Sequence, residues 1–318
     1  MLPKSIFAND AYASLDSLDC HDLGVRLQVL RLDSYCPDMS GNKLFKLKYN
    51  IIEALERGCQ QVVSFGGAYS NHIHALAMAG QVYGIKTIGI IRGEKTEPLN
   101  PTLADAQAAG MTLLYISREE YRLRDHPEYL RKLKDRYAPC MLIPEGGSNS
   151  FGMKGCGEIL DHIHHHIGMD YDFLALPCGT GATMAGLLCA LPEGKRIIGF
   201  SVLKAGDHLE REVLGFLKDL AVKHKVQWHI EQGYHCGGYA RVNQALASFV
   251  EDFEARHNIS LDHIYTGKCF FGLFDLIRKK TIPEGSRIVA IHTGGLQGER
   301  GMIQPLEKLR RSSLASSV

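Results

Sequence analysis

The chain has 318 residues, 45% hydrophobic and 22% charged, a composition that suits a globular protein with a large buried core in one big domain or two moderate ones. Its formal charge is +1 and its lysines and arginines are scattered, which excludes the electrostatic footprint of a nucleic-acid or anionic-membrane binder and favours a small-molecule partner. No stretch reaches the ~18 uninterrupted apolar residues of a membrane span, and the start MLPKSIFANDAYASLDSLDC lacks a signal-peptide pattern, so the expected location is the cytoplasm.

In chain order, the first strand is LQVLRLD, 27 to 33. SGNKLFKLKY, 40 to 49, then packs three lysines into six positions directly behind a serine, a glycine and an asparagine. A solvated helix face would explain the lysines but asks nothing of the small residues beyond capping. From residue 50 onward, short apolar runs alternate with helical stretches. QVVSF (61 to 65), KTIGIIR (86 to 92), TLLYI (112 to 116) and CMLIP (140 to 144) are strands, with helices NHIHALAMAGQVYG and REEYRLRDHPEYLRKLKDRY among them. DFLALP (172 to 177), RIIGFS (196 to 201), VQWHI (226 to 230) and RIVAIH (287 to 292) continue the series, with helices ATMAGLLCAL and GGYARVNQALASFVEDFEARH. The alternation predicts an α/β protein with open, mostly parallel sheets and helices on both faces. Eight or more strands imply two sheets and two domains.

Three further features are read as structural. The nine cysteines include no CxxC pair and suit reduced core positions. In DHIHHHIGMD, His162 and His166 stand one helical turn apart, but a polar helix end gives the same pattern and no metal is expected. RRSSLASSV at the C-terminus reads as a loose tail.

Open α/β sheets bind ligands beyond the carboxyl ends of their strands, so the loops there carry the functional signal. After DFLALP, the loop CGTGATMAG (178 to 186) opens a helix; Gly179 and Gly181 permit a tight turn, and the helix start presents free amides to an anion. It fits neither the GxGxxG fingerprint nor a Walker loop, since the third glycine is misplaced and no GK[ST] closes it. The loop GGAYSNHIHAL (66 to 76) places Ser70 and Asn71 at a helix start, as an N-cap or as a receiver of a carboxylate. PEGGSNSFGMKG (144 to 155) is a third strand-to-helix loop. A phosphate cup without a nucleotide fingerprint, a lysine beside a small-residue turn and a second anion site together point to pyridoxal phosphate, which needs all three.

These segments resemble the ACC deaminase and D-cysteine desulfhydrase family of tryptophan-synthase-β-like pyridoxal phosphate enzymes. SGNKLFKLKY is similar to its GNKxRKLxY motif, SFGGAYSNHIHALA to its SNHxR segment, PEGGSNSFGMKGCGE to its GGSNxxGxxGY segment and CGTGATMAGL to its phosphate loop. The resemblance implies that Lys43 holds the cofactor and serves as the base, and that Asn71 lies against the cofactor ring. Ser70 and the amides around Asn71 and His72 would receive the carboxylate of a small amino acid. Gly179, Thr180, Gly181, Ala182 and Thr183 would bind the phosphate, Tyr265 would be the active-site tyrosine of the YxGK segment, and Tyr239 a second tyrosine of the pocket. Lys46 and Lys48 are expected to stay solvated. The family fold implies a large domain of residues 1–45 and 147–318, a smaller domain inserted at 46–146, an active site between them and a homodimer. Phe45 departs from the motif's arginine.

The reaction expected is that of a lyase or deaminase. The resemblance implies that Thr266 and Thr293 bind the cofactor: Thr266 stands where ACC deaminases carry a glutamate that can pair with the cofactor's ring nitrogen, and Thr293 stands where they carry a leucine and resembles the desulfhydrases. A hydroxyl supports a protonated ring less well than a carboxylate does. This favours β-elimination from D-cysteine, giving pyruvate, ammonia and hydrogen sulfide, over opening the cyclopropane of ACC. ACC deamination and a cofactor-binding protein without turnover are the alternatives.

Overall fold

The computed structural model describes residues 11–36, 39, 41–221 and 226–315. Among the described residues ten strands run β1 Leu15–Leu18, β2 Arg26–Arg31, β3 Gln61–Gly66, β4 Lys86–Arg92, β5 Thr112–Ile116, β6 Cys140–Ile143, β7 Phe173–Cys178, β8 Arg196–Ser201, β9 Gln227–Glu231 and β10 Arg287–His292. They form two sheets, in the orders β1-β2-β10-β7-β8-β9 and β5-β4-β3-β6. Every pairing is parallel except β1 with β2. All strands of the four-stranded sheet lie between β2 and β7 in sequence, so that sheet is an insertion in the larger one.

The sheets explain their own sequences. Strand side chains alternate between faces, so Leu174, Leu176, Val289 and Ile291 enter one apolar cluster while Phe173, Ala175, Ile288 and Ala290 enter another. Every residue of β7 is buried, the mark of a strand covered on both sides. Val62 and Ile143 of the smaller sheet join the cluster that holds Leu174 and Val289, whereas Val63, Phe65, Ile88 and Ile90 build a separate one with Tyr121 and Leu133. One core therefore underlies both sheets.

The strands predicted from apolar runs are all present, within about a residue at each end for β3 to β10. The predicted strand at 27 to 33 gives way to helix at Leu32. Strand β1 was not predicted, since LDSL is short, polar and at an antiparallel edge. The long helix predicted over 118 to 137 is two, Arg118–Tyr121 and Pro127–Tyr137, because the residue before a proline resists the α conformation. GGYARVN is a loop: Gly237, Gly238 and Ala240 have positive φ, and the helix begins only at Gln244, capped by the Asn243 side chain. The expected tail continues as helix Ile303–Ala315, and residues 316–318 lie outside the described residues, as does Ser40 of the lysine segment. The cysteines are all free, but only Cys20, Cys156, Cys178 and Cys269 are buried, and Cys189 is exposed.

The helix Asn42–Glu56 crosses beneath the cleft between the sheets, and Gly41 is its N-cap at φ 76°. A Cβ on Gly41 would sit 1.9 Å from the Thr293 carbonyl oxygen, which accepts a hydrogen bond from the Asn42 amide at 3.1 Å. Gly58 has a similar φ of 68° but open space around it. Gly41→Ala should therefore lower the urea midpoint well beyond Gly58→Ala, whose cost is limited to ~1 kcal/mol of left-handed backbone strain. Equal midpoints for the two variants would show that the close approach carries no weight.

Candidate functional site

The loops after β3, β6, β7 and β10 converge on the start of the helix Asn42–Glu56. In the six-stranded sheet the chain leaves β7 toward β8 on one side while β10 flanks it on the other, so the loops after β7 and β10 straddle a topological switch point. The Asn42 amide group donates to the Thr183 hydroxyl at 2.8 Å, and its side-chain oxygen accepts from Lys43 Nζ at 2.9 Å. Burial, reinforced by the Lys46 charge, lowers the Lys43 pKa to about 7. A neutral amine is thus available at Lys43 near neutrality.

The loop Cys178–Gly181 turns through Gly181 at φ 79° into the helix Ala182–Ala190, whose first amides are open to an anion. Around it, Ser148 donates to the Thr180 hydroxyl at 2.9 Å, and a Cβ on Gly179 would lie 3.3 Å from the Tyr265 ring. Lys46 corrects the sequence expectation. It is 3% exposed, with Nζ 3.5 Å from Thr180 Oγ1. The loop thus has a buried cation at its rim as well as amides, although burial also lowers the Lys46 pKa. Lys48 pairs with Glu158 at 2.6 Å and is about one-quarter exposed.

Ser70 caps the helix Asn71–Tyr83, its hydroxyl accepting from the Ile73 amide at 3.2 Å. Asn71 accepts from Gln297 Nε2 at 2.6 Å. His72 is buried beneath: Ser64 donates to the Ile143 carbonyl, so the 2.8 Å contact makes His72 Nε2 the donor to Ser64 and leaves Nδ1 as a buried acceptor with no partner among the described residues. Burial and the charges of Lys43 and Lys46 push the His72 pKa down to about 3, so the ring stays neutral.

Tyr265 begins the helix Thr266–Arg278, and Asp262 fixes it there. The buried Asp262 carboxylate accepts from the amides of Ile264, Tyr265 and Thr266 and from the Thr266 hydroxyl at 2.6 Å. Thr266 also accepts from the Asp262 amide, so its hydroxyl proton and one lone pair are engaged, and of the two threonines singled out only Thr293 lines the open pocket. The Tyr239 ring packs edge-on to Tyr265 at 6.1 Å and is 44% exposed. Burial and the neighbouring Tyr239 hold the Tyr265 phenol well above its ordinary pKa, so it stays protonated.

Beside Lys43 a small pocket opens, lined by Asn71, His74, Thr293, Gly295 and Gln297 among others. His74 and Gln297 were missed in the sequence. His74 stands where the SNHxR motif has arginine, which was the available signal; Gln297 has none. Phe45, the other departure, is 4% exposed and packs against Tyr35 and edge-on against His162. His162 and His166 bind the chain at Ala13, at 3.0 and 2.8 Å, and among the described residues no cluster of three ligating groups could hold a metal.

The sequence pattern of the pyridoxal-phosphate dependent enzymes matches residues 12–294. The chain belongs to that family. A putative 1-aminocyclopropane-1-carboxylate deaminase of Pyrococcus horikoshii is 30% identical over 87% of this chain and 86% of its own length. The bifunctional D-cysteine desulfhydrase/1-aminocyclopropane-1-carboxylate deaminase, mitochondrial, of Arabidopsis thaliana is 30% identical over 86% of this chain and 73% of its own. A D-cysteine desulfhydrase of Salmonella schwarzengrund is 27% identical over 86% and 88%. Among solved structures, a crystal structure of an ACC deaminase homologue superposes with a TM-score of 0.81 at 27% identity, covering 94% of each chain. Among the described residues no helix is long and apolar enough to cross a membrane.

The residues fit the cofactor. Gly179, where a Cβ would press on Tyr265, leaves room for a phosphate at the helix start, Lys46 supplies an amine there that an anion would favour in its charged form, and Lys43 supplies a neutral amine. The buried amine also has a stability consequence. Its folded pKa of about 7 lies below the unfolded value near 10.5, so the unfolded chain binds the extra proton between those pH values and wild-type stability rises across that window. In cofactor-free protein, Lys43→Met should raise the melting temperature most at pH 7 and least near pH 10. A melting difference that stays flat with pH would contradict the desolvated amine.

Proposed function

We propose that the protein is a pyridoxal-phosphate-dependent lyase that eliminates the β-substituent of a small amino acid, most closely a D-cysteine desulfhydrase. The observation that carries this reading is the pocket beside Lys43, which offers the Thr293 hydroxyl and no carboxylate among its described lining residues. Bound pyridoxal phosphate supplies an electron sink for the charge left at Cα when its proton is removed. A hydroxyl partner makes that sink weaker than a carboxylate does, which suits an elimination aided by an α-hydrogen and a leaving group better than the opening of ACC, which has no α-hydrogen.

The chain's residues divide the work. Gly179, Thr180, Gly181, Ala182 and Thr183, with Lys46 at the rim, hold the phosphate. Lys43 would hold the cofactor covalently and, as a neutral amine, would take the α-proton. Asn71 positions the ring through the orientation fixed by Gln297. Ser70 and the amides around Asn71 and His72 receive the substrate carboxylate at a helix N-terminus. Tyr265, kept protonated, walls the ring site and donates rather than accepts a proton, with Tyr239 beside it.

The reading extends to assembly and place. The segment 46–146 forms the smaller domain, the active chain is a homodimer, and it works in the cytoplasm. These follow from the family resemblance, and light scattering on purified protein tests the dimer directly.

Substrate comparison decides the reaction. Sulfide and pyruvate should appear from D-cysteine, with little 2-oxobutanoate from ACC. Release of 2-oxobutanoate from ACC with no sulfide from D-cysteine would reverse the assignment. Lys46→Met should weaken cofactor retention by ~10-fold or more, as expected for a lost charge-assisted contact to a phosphate, while Lys46→Arg restores part of it; equal retention in all three proteins would remove Lys46 from the site.

A further inference from the structure

His74 shares the open pocket with Lys43, and among the described residues lining it only these two carry groups that titrate. Its ring is held from behind. His74 Nε2 lies 3.4 Å from Asp105 Oδ2, and the same oxygen receives Arg300 Nη2 at 2.6 Å. Arg300 Nε donates to the Gln297 carbonyl at 3.0 Å, and Gln297 donates to Asn71, three residues before His74 on the same helix. The circuit His74, Asp105, Arg300, Gln297, Asn71 therefore closes around the pocket, joining the helix Pro101–Ala108 of the smaller sheet to the segment after β10. His74 is 13% exposed.

A β-elimination needs two proton transfers. Lys43 can accept the α-proton, but the departing group leaves with the electron pair of its bond to Cβ and requires a proton of its own. We propose that His74 is the second acid–base residue of this pocket, giving its proton to the departing β-substituent, with Asp105 and Arg300 as the pair that positions it. This inference rests on the elimination reading above. In the step, the Cα–H pair becomes the Cα=Cβ double bond and Lys43 gains the α-proton. The Cβ–X bond breaks, X takes the proton from the His74 imidazolium, and neutral His74 regains one from water.

The electrostatics agree. Burial acts to raise the Asp105 pKa, but the Arg300 hydrogen bond and charge, with His74, hold it below the ordinary value, so it stays a carboxylate facing His74. Among the described residues, the charged groups shown near His74 are Asp105 and, through it, Arg300, with Lys43 lining the same pocket. Asp105 favours the imidazolium, and Lys43 poses no strong opposition once it is neutral.

The test compares leaving groups in holoenzyme. Chloride departs without a proton, whereas sulfide gains from one. His74→Asn should lower kcat on D-cysteine by ~10²-fold, the usual contribution of a positioned acid, while pyruvate release from β-chloro-D-alanine changes less than ~3-fold. Asp105→Asn should keep the visible absorbance of the bound cofactor and shift the alkaline limb of the D-cysteine kcat profile to lower pH, because the imidazolium loses its carboxylate. An equal loss for both substrates in His74→Asn, or an unmoved limb in Asp105→Asn, would overturn the role of His74 alone. A wild type that releases no pyruvate from β-chloro-D-alanine would overturn the elimination reading and this role together.

Discussion

Two desolvated lysine amines, Lys46 buried and Lys43 half-buried at the open pocket, constrain everything around them. Lys43 and Lys46 lie on the same helix, three residues apart and so on one face, and each is driven toward neutrality by loss of water, with Lys46 adding repulsion at Lys43. A dianion at the start of the helix Ala182–Ala190 would reverse the sign at Lys46, turning a desolvated charge into a paired one. The cleft is thus strained without its ligand and relieved by it, which couples cofactor retention to stability by mass action.

The surroundings are built to impose that constraint. Gly41 lets the helix start press on the Thr293 carbonyl, and Gly155 lets the helix Ser150–Gly157 pass so close that a Cβ there would lie 1.9 Å from the Phe45 carbonyl oxygen. Phe45, Leu47 and Ile51 meanwhile sink into the core that both sheets share. The floor of the cleft is therefore apolar and close-packed, with little freedom to relax. Its walls are different: hydrogen bonds and ion pairs from few side chains, several of them bridging the two sheets.

The sheets were legible because period-2 alternation and full burial leave strong marks on sequence. RIVAIH and KTIGIIR match β10 and β4 at both ends. LDSL left no such mark, and GGYARVN carries a helix-like composition but positive φ at three of its residues. In the site, Lys43, the glycine loop and the Ser70 cap were readable from small residues placed before a functional one. Lys46 was not, because lysine is ordinarily solvated. The face Lys43, Lys46, Asn50 was the missed signal: Asn50 is wholly buried, bonding to Asn149, so the polar stripe of this helix points inward. Thr266 shows a different limit of the sequence. Its position invited a ring contact, but a hydroxyl's partner is decided by whichever acceptor the fold brings nearest, and Asp262 is four residues away in sequence.

Another buried lysine shows how far the polar wall extends. Lys268 is wholly buried and donates to the Gly238 carbonyl at 2.7 Å, with burial lowering its pKa to about 8. Gly238 precedes Tyr239 in a loop without regular structure, so this one bond ties the loop to the helix that Tyr265 begins. The two tyrosines are thereby held by separate anchors on the same helix start: Tyr265 by Asp262, Tyr239 through Lys268. Asp262 accepts four hydrogen bonds, whereas Lys268 reaches the loop through its bond to the Gly238 carbonyl. Tyr265 is thus walled in at the helix start, while the Tyr239 edge stays exposed.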